Sequence, residues 1–85
     1  MISLKKLERH QGLVQAMAQT RGVDLAGALT TGDLSATDLR SAVFRCTACS
    51  DPDACEEWLA RHPDGADHTP PYCRNADTLA RLAED

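Results

Sequence analysis

Four cysteines, Cys46, Cys49, Cys55 and Cys73, stand in the second half of an 85-residue chain, and Cys46-Thr47-Ala48-Cys49 puts two of them one helical turn apart. A chain of this length makes one small domain, and folding buries only about two thirds of the surface its unfolded form exposes. With one Phe, one Trp and one Tyr, the core must rest on Leu, Val and Ala, which bring less apolar area per residue. Joining the cysteines would offset part of the ordering entropy, so any fold this chain adopts is constrained to bring them together.

The compartment decides what kind of link is expected. The segment Met1-Ile2-Ser3-Leu4-Lys5-Lys6-Leu7-Glu8-Arg9-His10 is charged and periodic, without the uninterrupted apolar stretch of an export signal. No run is long enough to span a bilayer. The expectation is a cytoplasmic protein with no membrane partner. There thiols stay reduced, and grouped cysteines more often serve metal than disulfides.

Charge is uneven along the chain. Residues 1–22 carry Lys5, Lys6, Arg9 and Arg21 against Glu8, about +3, which with a total of −4 leaves about −7 for the remainder. An acidic body argues against nucleic acid as a partner, because that binding relies on clustered cations releasing phosphate counterions.

The periodicity is helical throughout. Residues 3–20 place Leu4, Leu7, Val14 and Ala18 at helical spacings, interrupted by Gln11, and Gly22 stops the pattern. The same stripe could serve a second copy of the chain or another protein. Val23 to Thr31 forms a second helix with Asp24 as cap, Leu25, Ala28 and Leu29 as apolar face, and Gly32 as terminator. Ser35-Ala36-Thr37-Asp38 has the form of a capping box and starts a third, with Leu39, Ala42, Val43 and Cys46 on one face. A fourth, from Asp51 to Arg61, follows Ser50-Asp51-Pro52-Asp53, with Cys55, Trp58, Leu59 and His62 on one side. After a loop from His62 to Pro71, a last helix from Pro71 to Ala83 aligns Cys73, Ala76 and Leu79 or Ala80.

No stretch alternates with period two, so the expected fold is all-α: a small single domain of four to five short helices around the cysteines. Residues 1–22 form an N-terminal amphipathic helix and residues 23–85 a four-cysteine helical domain, together one compact unit.

On this phasing Cys46, Cys55 and Cys73 lie on the inward stripes of three helices, and Cys49 sits one turn beyond Cys46. All four are therefore expected to converge on one site. Phe44, Trp58 and Tyr72 each fall close to a cysteine and would exclude water there. Arg45 and Arg74 flank Cys46 and Cys73, where cations stabilise thiolates. The plain alternative is that free cysteines act as small buried hydrophobes.

Thiolates suit both zinc and iron-sulfur clusters. Only one Cys-x-x-Cys occurs, whereas zinc ribbons usually carry two. Cys46-x2-Cys49-x5-Cys55 resembles the last three cluster ligands of the endonuclease III family, whose helical domain holds a [4Fe-4S] cluster with its fourth cysteine upstream. Here the fourth, Cys73, lies downstream, so the resemblance implies a cluster type and not repair activity. Over residues 25–82, Arg45-Cys46-x2-Cys49 with Cys55, Trp58-Leu59 and Pro70-Pro71-Tyr72-Cys73-x-Asn75 resembles a family of small uncharacterised four-cysteine bacterial domains. That resemblance implies that the cysteines act as a set, and it brings no activity with it.

Two other readings stay open. A Cys49–Cys73 disulfide would close a loop of about 25 residues and stabilise by roughly 3.5 kcal/mol on the chain-entropy model, giving a stapled interaction module with no cofactor. Zinc could likewise serve only to stabilise such a module. Thiol-disulfide catalysis lacks its thioredoxin-like strand-helix-strand context. Of the histidines, His62 continues the Cys55 face and is the natural substitute ligand; His68 flanks the same loop, and His10 lies far off in sequence. The expected function is a small metal- or iron-sulfur-binding protein, with [4Fe-4S] ahead of Zn2+, acting as a redox or metal-responsive accessory with an unidentified protein partner. No catalytic residue is assigned.

Overall fold

Start and stop signals written in the chain set the helix boundaries in the computed structural model, which describes residues 3–84. Helix α1 runs Leu4–Thr20, α2 Leu25–Thr31, α3 Ala36–Thr47, α4 Pro52–Ala60 and α5 Ala76–Glu84, with no strand among the described residues. The fold is all-α, as the periodicity predicts. Met1, Ile2 and Asp85, the ends of the two expected stretches, lie outside the described residues.

Ser3 caps α1 by accepting from the Lys6 amide, and Asp24 caps α2 by accepting from Gly27. Gly32 ends α2 at φ +86, in the left-handed region where a side chain would be strained. Ser35 and Asp38 satisfy each other's backbone amides reciprocally, so the capping box at α3 is present in full. At α4 the cap is Asp51, not Ser50: its carboxylate accepts from the Ala54 amide, and Pro52 takes the first turn, where no amide is needed.

Two expectations are corrected. The buried stripe of α1 is His10, Leu13, Val14, Met17 and Ala18, while Leu4 is 71% exposed and Leu7 half-buried. The apolar face is rotated from the Leu4–Leu7 line because the densest i, i+3, i+4, i+7 set starts at residue 10. The last helix begins at Ala76, five residues later than predicted. The prolines at 70 and 71 hold the chain in a turn: Pro70 is fully buried, and its carbonyl accepts from the Cys73 amide at 3.0 Å. Cys73 therefore lies on that turn and not on a helical stripe.

The core gathers Leu13, Met17 and Ala18 of α1 with Val23, Leu34, Cys55, Leu79 and Leu82. Helix α1 is its spine, packed on α3 and α4. The 62–71 loop folds back on the end of α1, where the Ala66 amide donates to the Thr20 carbonyl at 2.8 Å and Arg21 donates to the Ala66 carbonyl. Among the described residues, no helix is long and apolar enough to cross a membrane.

Candidate functional site

Each cysteine reaches the site from a different local geometry. Cys46 sits in the last turn of α3, and Cys49 just past the helix end, where its amide donates to the Cys46 carbonyl. Cys55 is buried on α4, and Cys73 stands on the turn before α5. All four line one small cavity of about 30 Å³ together with Leu13, Val14, Met17, Tyr72, Arg74, Asn75 and Leu79. All four cysteines thus border one cavity, two of them from turns.

Those two turns are tied together. Arg74 donates from Nε to the Ala48 carbonyl at 3.1 Å, and the Cys49 thiol points to the Tyr72 carbonyl at 3.9 Å. The second contact is long and weak even for sulfur. Arg74 thus borders the cavity by holding backbone.

Arg45 faces elsewhere. Its guanidinium donates to Asn75 Oδ1 at 2.9 Å and to the Thr78 hydroxyl at 3.3 Å. Asn75 is 4% exposed and donates from Nδ2 to the Ala42 carbonyl at 2.9 Å, while its own carbonyl accepts the Leu79 amide, the first bond of α5. Asn75 is thus a helix-start residue whose side chain bolts α5 to α3 beside Cys46 and Cys73.

The expected aromatic screen is partly absent. Tyr72 lines the cavity and Trp58 packs against the core, but Phe44 is 47% exposed. It borders a separate surface groove with Leu7, Leu29, Leu39 and Val43, because on α3 it points away from Cys46.

Sequence reasoning set His10 aside, and the structure brings it in. It is 2% exposed, and its Nδ1 lies 3.3 Å from Cys46 Sγ. The signal was its place in the His10, Leu13, Val14, Met17 register. His62 does the reverse: it stacks on Trp58 with ring centroids 4.0 Å apart, pairs with the Trp58 carbonyl, and lines a cleft formed with Gln19, Pro63 and Gly65. His68 meets Trp58 edge-on. Neither ring is among the residues lining the cysteine cavity.

Burial pushes the Cys46 thiol up to about 12, with smaller contributions from Cys55, Cys49 and Cys73, and pushes Cys55 up to about 11 with help from Cys73 and Cys49. That mutual repulsion between ionised forms is the electrostatic mark of grouped thiols. Burial also lowers the pKa of His10, aided by Lys6 and Arg9, so its ring is neutral at neutral pH.

All four cysteines are free thiols. Among the described residues, no three His, Cys, Asp or Glu side chains are drawn close enough to grip an ion as they stand. Neutral thiols have no charge to pull them inward, and binding a metal requires each ligand to lose its proton. The donor set is chemically suited to a soft or borderline ion.

No curated protein and no solved structure matches this chain. A family profile does, over residues 1–85, and the chain belongs to the family of unknown function DUF6455.

Proposed function

We propose that Cys46, Cys49, Cys55 and Cys73 form a thiolate metal site, and that the protein serves as a small metal-responsive or redox accessory in a reducing, cytoplasmic setting. The observation that carries this reading is the shared cavity: four sulfurs from α3, α4 and two turns border one small space. A volume of about 30 Å³ suits one or two water-sized occupants, hence a single tetrahedral ion such as Zn2+. A [4Fe-4S] cluster would need the turns bearing Cys49 and Cys73 to swing outward. The small cavity favours a single ion, whereas the cysteine spacing suggests a cluster.

Each ligating thiol gives up its proton to solvent, so uptake releases protons and weakens as pH falls. A bound ion would join α3, α4 and the approach to α5, which suits a domain with so few aromatics.

The test is metal analysis and a visible spectrum of protein purified anaerobically, with the thiols counted by alkylation at lysis in a parallel sample. One colourless zinc per chain supports the single-ion site, and broad visible absorption with iron and sulfide transfers the site to a cluster. Four free thiols without metal end the metal reading. Paired cysteines establish the alternative, a disulfide-stapled interaction module.

The partner surface belongs to the same proposal. Exposed Leu4, Leu29 and Phe44, with the groove between α1 and α3, make the outer side of residues 3–20 the face for a second copy of the chain. This face draws on α1 and α3, the helices that supply His10 and Cys46, together with Leu29 of α2.

A further inference from the structure

Three facts about His10 coincide. Among the described residues it is one of two buried polar side chains, its Nδ1 is 3.3 Å from Cys46 Sγ, and it stands on α1, which carries no cysteine. A neutral imidazole has one N–H, and a thiolate is an acceptor that favours a donor aimed at it. Cys46 is half-buried in the last turn of α3 with His10 as the polar side chain against its sulfur, whereas Cys49 and Cys73 stand on turns.

We propose that His10 is a positioning residue of the metal centre: its Nδ1–H donates to the Cys46 thiolate, fixing that sulfur's direction and drawing charge from it. This rests on the thiolate-site reading above. Helix α1 thereby becomes part of the centre although no ligand lies on it, and metal occupancy is coupled to how α1 seats on α3. Cys46 thereby exchanges more slowly than Cys49 and Cys73, which a competing thiol or chelator removes first.

Cobalt(II) titration of the full, reduced chain tests this, comparing wild type with His10→Leu and His10→Gln. Leucine keeps apolar bulk and removes the donor; glutamine restores an N–H. The expected result is a shift of the sulfur-to-cobalt charge-transfer band to lower energy in His10→Leu, with affinity reduced about 10- to 100-fold, and a return towards wild type in His10→Gln. A purely structural His10 would lower the thermal stability of both metal-free variants and leave the band in place.

An unchanged band in His10→Leu overturns the proposal while leaving the four-thiolate site standing. A wild-type spectrum with one nitrogen and three sulfur ligands, converted by His10→Leu to four sulfurs, also overturns it, because the imidazole would then bind the ion directly. Failure of the wild-type chain to take up cobalt, together with no zinc or iron in the purified protein, overturns both readings at once.

Discussion

At the scale of single residues, burial decides chemistry that residue type leaves open. Cys46 and Cys55 have thiols held neutral well beyond the ordinary 9.0, because ionising them costs desolvation and meets neighbouring sulfurs. In the metal-free chain this stabilisation is complete below about pH 9, and is lost as pH rises towards 11 and 12, since the unfolded chain releases those protons earlier. The denaturation midpoint of metal-free protein should therefore fall between about pH 7 and about pH 10. Replacing both residues by Ala should flatten that decline; an equally steep decline in the double variant would place its origin elsewhere. Asn75 gives a second test at this scale. Asn75→Ala strips a buried donor from the Ala42 carbonyl and an acceptor from Arg45, and should cost about 1–3 kcal/mol in urea unfolding. Arg45→Ala should cost less, because its own contacts are more exposed.

At the scale of elements, caps and turns carry more of the architecture than helix interiors. The 62–71 loop is held to the end of α1 by the Ala66 amide, and the neighbouring Gly65, at φ +104, allows the close approach, since an added Cβ would come within 3.1 Å of the Thr20 carbonyl oxygen. Gly65→Ala should therefore destabilise by about 1–3 kcal/mol. Gly12, inside α1 with nothing within 4 Å of its would-be Cβ, should behave oppositely, with Gly12→Ala stabilising by about 0.5–1 kcal/mol. Paired urea curves check both, and like signs would contradict this account of the two backbones. Arg9 adds a surface clip from α1 to Asp53 and Glu56 of α4, at 2.7 and 3.0 Å. Exposed pairs like these are screened by solvent and add little, so the clip serves register more than stability.

At the scale of the whole molecule, an ion bound by the four sulfurs would act only on the folded state. Zinc at a thousand times its dissociation constant should raise stability by about 4 kcal/mol. Thermal melts with and without chelator measure the effect, and Cys73→Ser should remove most of it while loosening the start of α5. A melt indifferent to zinc in fully reduced protein would count against the site. On the opposite face, Phe44→Glu places a charge in the groove beside Leu29 and Val43, and should shift any self-association towards monomer in sedimentation. Wild-type protein that sediments as a monomer at every concentration would remove the second copy as the groove's occupant.

Local signals were legible in the chain because they act within a few residues. Ser35 with Asp38, Asp24, Gly32 and the helical spacing of Leu39, Ala42 and Val43 specify caps, stops and faces without help from distant segments, and they suffice for an all-α fold. The grouping of Cys46, Cys49 and Cys55 was legible too, since the three lie within ten residues. What only tertiary structure decided was how faces meet. His10 against Cys46 and Asn75 against Ala42 each join residues more than thirty positions apart. Such pairings depend on helix rotation and on which side of α1 wins burial, a competition settled by packing the whole core at once. Cys73 shows the same limit: its helical spacing was real, but two prolines and a buried turn placed its sulfur at the cavity from a loop.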